Sequence, residues 1–256
     1  MLLPMDLCIE TDGLVKDYEG VRAVDGIALR VERGSFYGFL GPNGAGKSTT
    51  IKMLTGIVAP SAGSARILGM DLRRNPLAIK RRIGVVPEDL GLFENLTGLE
   101  YLSFVGRMYG LPRQTILDRS AELLALMGLA DSGKTLTFEY SHGMRKKLAM
   151  SAAIIHDPEL LFLDEPFEGV DAIASRTMRR VLERMVERGA TIFLTSHILD
   201  IVERLCSHVG IIVKGRIAAQ GCLEDVAAGG RLEDAFVAAA GMPADSEAGL
   251  SWLEAR

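Results

Sequence analysis

Residues 41–49 read Gly-Pro-Asn-Gly-Ala-Gly-Lys-Ser-Thr and satisfy every position of the pattern G-x-x-x-x-G-K-[ST]. No other stretch constrains the fold as tightly, because such a loop works only between a buried strand and the start of a helix. The flanks supply both. Phe36–Leu40 is apolar and strand-like, and Thr49–Leu54 is compatible with a helix. Gly41, Gly44 and Gly46 are expected to take φ > 0 and bring the backbone close to phosphate oxygens. Asn43, Ala45 and Thr49 complete the loop around them. Free amides at the helix start form an anion cradle. Lys47 brings a cation to the β- and γ-phosphates, and the Ser48 hydroxyl is a ligand for Mg²⁺. The implied ligand is a nucleoside triphosphate.

The 256 residues have room for one large domain or two small lobes. No apolar run reaches the roughly 18 residues that span a bilayer. Met1–Asp6 lacks a basic segment and is broken by Pro4, so the expectation is a cytoplasmic protein without a secretory leader. Cys8, Cys206 and Cys222 lie too far apart for a disulfide framework or a metal cluster and read as small buried hydrophobes. The net charge of −4 suits a nucleic-acid backbone poorly, so no nucleic-acid partner is expected. Arg73-Arg74, Lys80-Arg81-Arg82 and Arg145-Lys146-Lys147 read as solvated helix faces, the last with a phosphate ligand as its alternative.

Three stretches differ in character. Residues 1 to about 88 are strand-rich, with strands expected at Ile9–Val15, Gly26–Val31 and Gly63–Leu68. From about Asp89 to His156 the pattern is helical. Helices are expected at Leu99–Tyr109, at Thr115–Met127 (Ile116, Leu117, Leu123, Leu124 and Met127 apolar) and from Ser141, with Met144, Leu148, Ala152 and Ile155 on one stripe. Strand and helix then alternate. Leu160–Leu163, Thr191–Leu194 and Val209–Val213 read as strands. Ala172–Arg188 reads as a helix with Ile173, Met178, Val181, Leu182, Met185 and Val186 facing the core. After Gly241 the chain is small, polar and aperiodic, and reads as a mobile tail on which Trp252 and Leu253 offer a local docking point. The fold class is α/β: a phosphate-loop NTPase core, strand-rich at its start, with an inserted helical subdomain.

Leu160–Leu163 ends in Asp164-Glu165, and strand ends are where ligands sit on an open α/β sheet. Asp164 is placed to hold Mg²⁺ through water. Glu165 is placed to polarise a water for attack on the γ-phosphate. Upstream, Tyr140-Ser141-His142-Gly143-Met144 opens a helix, Glu168-Gly169-Val170-Asp171 follows Leu163-Asp164-Glu165-Pro166, and Thr195-Ser196-His197 comes later.

This order of motifs, from about Tyr18 to about Gly221, resembles the ATP-binding cassette of ABC transporters. The resemblance implies a single ABC ATPase domain over residues 1–241, with a RecA-like core at about 1–88 and 157–228, a helical subdomain at about 89–156 and a tail at 242–256. It implies a head-to-tail homodimer in which each ATP lies between the phosphate loop of one subunit and the Ser141–Gly143 helix start of the other. Ser141 as a cap would turn that helix's amide end toward the γ-phosphate. Tyr18 would stack on adenine, Asp171 would lie in the loop joining the two sites, and His197 would contact the γ-phosphate. The sequence departs from the family at Tyr140, His142 and Met144, where Leu-Ser-Gly-Gly-Gln is usual, and at Glu88, where Gln is usual. Glu88 then either offers a carboxylate to Mg²⁺ or faces the membrane partner. Both changes resemble bacterial exporter cassettes with a separate permease. That implies an integral-membrane partner contacting the helical block and the Glu88–Asn95 region, and a place on the cytoplasmic face of the membrane. The rival readings are a soluble ABC-type ATPase of translation or DNA repair, which usually carries two cassettes or long coiled coils, and a phosphate-loop kinase.

Overall fold

The apolar runs at Phe36–Leu40, Leu160–Leu163 and Thr191–Leu194 are strands buried along their whole length. Such runs suit a parallel sheet covered on both faces. The structure is a computed structural model and describes residues 6–241. In chain order the elements are β1 (Leu7–Tyr18), β2 (Val21–Ile27), β3 (Arg30–Glu32), β4 (Phe36–Leu40), α1 (Lys47–Leu54), β5 (Ala62–Ile67), β6 (Met70–Asp71), α2 (Pro76–Lys80) and β7 (Ile83–Val86). Then come α3 (Gly98–Met108), α4 (Arg113–Leu126), a 3₁₀ turn at Thr137–Glu139 and α5 (His142–Ile154). The chain continues through β8 (Leu160–Asp164), α6 (Ala172–Glu187), β9 (Thr191–Thr195), α7 (Leu199–Leu205), β10 (His208–Val213), β11 (Arg216–Cys222), α8 (Leu223–Val226) and α9 (Leu232–Ala240). The expectations for Met1–Met5 and for the stretch with Trp252 and Leu253 lie outside the described residues.

Among the described residues the strands form two sheets. A six-stranded sheet runs β11-β10-β4-β9-β8-β7, parallel except for β11. A five-stranded antiparallel sheet runs β2-β1-β5-β6, with β3 also on β1. Strand alternation divides the large sheet between two cores. Phe36, Leu40, Leu161, Leu163, Ile192 and Leu194 face a core shared with α3 to α7 and α9. Tyr37, Phe39, Leu160, Phe162 and Phe193 face a core shared with the antiparallel sheet, α1 and α2. In the second core Phe193 is 5.5 Å from Tyr37, 5.2 Å from Phe39 and 5.5 Å from Phe162, centroid to centroid. Each such aromatic pair adds about 0.5–1.5 kcal/mol beyond burial. Because β4, β7, β8 and β9 are parallel, their carboxyl ends open on one edge, and that edge carries the site.

Five local expectations are corrected. The strand expected at Gly26–Val31 is two strands. β2 pairs with the second half of β1 and β3 with the first half, and Leu29 between them donates its N–H to Thr11 Oγ1 at 2.8 Å. Ile173, expected on the core face of α6, lies in that helix's first turn and is 82% exposed. Leu117 of α4 is likewise exposed. Arg73-Arg74 is a turn, not a helix face, with both amides bonded to Asp71 Oδ1. Cys8 and Cys206 are buried thiols, but Cys222 is only partly so.

Candidate functional site

The loop after β4 closes on itself before α1 begins. Ala45 N donates to Pro42 O at 3.1 Å, and Gly215, in the β10–β11 turn, donates to Ala45 O at 2.9 Å. Gly44 (φ 77°) and Gly46 (φ 110°) take the left-handed conformations expected of them. Gly41 does not, which corrects the expectation. A side chain there would instead strike the carbonyl of Ile212. Gly46 caps α1 without any side-chain hydrogen bond, so the first amides of the helix keep their donors for a ligand. Lys47 is buried, its Nζ donating to Gly41 O at 2.8 Å and Pro42 O at 3.3 Å.

These groups open on a cavity of about 490 Å³. Asn43, Gly44, Gly46, Lys47, Ser48 and Thr49 line one wall, and Asp164, Glu165 and His197 the other. Glu88 closes one side, 3.3 Å from the Ser48 hydroxyl that donates to its Oε2. Glu88 also borders a second cavity with Leu90, Leu92, His142 and Arg145, so it stands between the phosphate loop and the helical block.

β8 and β9 end side by side, with Asp164 opposite Thr195. The Thr195 hydroxyl donates to Asp164 Oδ1 at 2.5 Å. Glu165 follows with φ 48°, a left-handed conformation that costs a non-glycine residue about 1–3 kcal/mol. The surrounding bonds hold it there. Its N–H donates to Thr195 Oγ1 at 3.2 Å, and its carbonyl accepts from Lys146 Nζ at 2.7 Å. Its Oε2 accepts from His197 Nδ1 at 2.9 Å and His197 N at 3.2 Å. The two residues expected to do chemistry are thus a bonded pair.

The other expected residues lie elsewhere. Tyr18 is exposed at the end of β1, opposite Val21, with Lys16 Nζ 5.0 Å from its ring centroid. Ser141 caps α5, its Oγ accepting from Met144 N at 3.3 Å, and does not line the cavity of its own subunit. Gly143 lies against the carbonyl of Gly169. Asp171 caps α6 through the amides of Ile173 and Ala174. Those bonds, chiefly the one from Ala174, hold its carboxyl below the ordinary value.

Residues 24–168 match the family model described as ABC transporter. The chain belongs to the ABC transporter family. It is 43% identical over 213 residues to the daunorubicin/doxorubicin resistance ATP-binding protein DrrA of Streptomyces peucetius, a match covering 83% of this chain and 64% of that one. It is 41% identical over 214 residues to the bacitracin transport ATP-binding protein BcrA of Bacillus licheniformis, covering 83% and 69%. A solved ATP-binding subunit of an ABC transporter superimposes with a TM-score of 0.86 at 31% identity, covering 91% of this chain and 99% of that chain. The cassette is therefore an ATP-binding chain of ABC ATPase fold.

Sequence reasoning missed three contributors to the cassette's site. Glu168 and Ala23 line the cavity. Glu168 stood in a motif from which only Asp171 was drawn, and nothing local marks Ala23. The third is Lys146. Within Arg145-Lys146-Lys147 it reads as solvated, yet only 1% of it is exposed. Its periodicity held a signal, since it lies four residues before Met150 and seven before Ala153, both buried.

Proposed function

We propose that this cassette binds and hydrolyses ATP to power export through a separate integral-membrane permease. The observation that carries the reading is the shared cavity. It gathers Lys47, the uncapped amides of α1, and the Glu165–His197 pair around one volume. Polyphosphate oxygens would lie against the amides and Lys47 Nζ. The Glu165 carboxylate orients the attacking water and draws on its proton. His197 steadies that carboxylate through Nδ1–H and lines the cavity wall where the γ-phosphate would lie.

The Ser48 hydroxyl and the carboxylates of Asp164 and Glu88 give an all-oxygen set on one cavity, as Mg²⁺ requires. Bound Mg²⁺ would neutralise charge on the β- and γ-phosphates.

Ser141 is exposed, and neither it nor the start of α5 lines its own subunit's cavity. This supports a homodimer in which they complete the partner's site. The same reading keeps residues 1–241 as one ABC ATPase domain, with the helical subdomain at about 89–156. In that block Phe93 is half exposed and edge-on to Phe104 at 5.2 Å, with Met108 and Phe138 also exposed. These apolar groups suit docking to a membrane protein. No helix among the described residues is long and apolar enough to cross a membrane. On this reading the path for substrate lies in the partner. The cassette then sits on the cytoplasmic face through that partner. The names of its relatives, resistance to daunorubicin and doxorubicin and transport of bacitracin, support export. Lys47→Ala tests the loop. Nucleotide titration and phosphate release are expected to show loss of productive ATP binding, and unchanged affinity together with unchanged turnover would overturn the assignment.

A further inference from the structure

Lys146 lies in the second turn of α5, with 1% of its surface exposed. Its Nζ donates to the backbone carbonyl of Glu165 at 2.7 Å, not to a carboxylate. Burial holds its pKa down, while the charges of Glu168, Glu165, Asp164 and Glu88 act the other way. A buried cation without a direct ion pair is costly, and an apolar residue of the same length would serve packing as well. The contact it makes is therefore the informative one. Glu165 is held left-handed by bonds from three places: Thr195 at its N–H, His197 at its carboxylate and Lys146 at its carbonyl. The first two come from β9 and the loop after it. Lys146 alone comes from α5, the helix whose N-terminus is capped by Ser141.

We infer that Lys146 is a positioning residue. It fixes the Glu165 peptide so that the carboxylate faces the phosphate cavity, and it makes that alignment depend on where α5 sits. A helix engaged at its Ser141 end by the partner's nucleotide would hold Glu165 in place, and a displaced helix would release it. The inference rests on the reading of Glu165 as the group that activates water.

The test measures ATP affinity and steady-state turnover for Lys146→Met, Lys146→Gln, Glu165→Gln and the Lys146→Met/Glu165→Gln double variant of the full chain. Lys146→Met removes the donor and keeps the length. It is expected to lower kcat by about 10–100-fold, with KM for ATP within about twofold of wild type. Lys146→Gln keeps a donor and is expected to retain turnover within about threefold. The double variant is expected to be no slower than Glu165→Gln alone, since the lysine acts through the glutamate. If Lys146→Met does not fold, Lys146→Gln and Lys146→Asn carry the same comparison. The longer amide brings a donor nearer the carbonyl and is expected to turn over faster than the shorter one. Wild-type turnover in Lys146→Met or Lys146→Asn, a loss in KM alone, or a further slowing in the double variant would overturn the inference. Wild-type turnover in Glu165→Gln would instead overturn the reading of Glu165, and the role of Lys146 with it.

Discussion

Glu165 occupies a left-handed backbone conformation, with a neighbour bonded to its amide, its carbonyl and its carboxylate. A side chain so fixed can orient one water without first surrendering rotamer entropy. Glu165→Gln keeps the size and the backbone bonds but removes the charge that polarises water. Turnover is expected to fall by about 10²–10⁴-fold while ATP affinity stays near wild type, measured by phosphate release and nucleotide titration. Hydrolysis at an undiminished rate would remove Glu165 from the mechanism. The loop residues and the Asp164-Glu165 pair were legible in the sequence because each is a short pattern whose chemistry is local. For Lys146 only the helical spacing to Met150 and Ala153 was legible; its bond to the Glu165 carbonyl exists only once α5 docks against the end of β8. Gly41 was legible as a required glycine but for the wrong reason. Its constraint is the carbonyl of Ile212, 171 positions further along the chain.

At the scale of elements, α3 is fastened to the sheet by an aromatic stack just past the end of α5. The rings of Tyr109 and His156 lie 3.5 Å apart at an interplanar angle of 8°. His156 Nε2 donates to Ile83 O of β7 at 3.0 Å, and Nδ1 is buried without a hydrogen-bond partner. Burial pushes the imidazole down from 6.5 to about 4. The unfolded chain therefore binds more protons than the folded one between those values. This contribution to stability is fully present above the unfolded value and is lost as the pH falls toward the folded one, by up to about 3 kcal/mol. His156→Phe keeps the stack and removes the proton site. In denaturant titrations from pH 7 to pH 4, wild type is expected to lose more stability than this variant, and parallel curves would show that His156 does not charge in that range. The long helices were legible because apolar periodicity and caps agree, as at Thr97 and Glu100, which form a reciprocal capping box. The break between β2 and β3 was not, because alternation runs unbroken through Gly26–Val31 while the chain changes its position along β1.

For the whole molecule, the large sheet divides two cores and leaves its carboxyl edge free for the phosphate loop, Asp164 and Glu165. The α/β class and the insertion of helices between β7 and β8 could be read from the order of apolar runs. The placement of Ser141 relative to the cavity could not, since it depends on how α5 is tilted against the sheet. That placement underlies the central claim: one subunit holds the phosphates and a second copy supplies the helix start that closes over them. Sedimentation of Glu165→Gln with saturating ATP and Mg²⁺ tests it most directly, because a slow enzyme keeps the closed state populated. A species of twice the chain mass carrying one ATP per subunit is expected, returning to single chains when nucleotide is removed. A single-chain species at saturating ATP would contradict it.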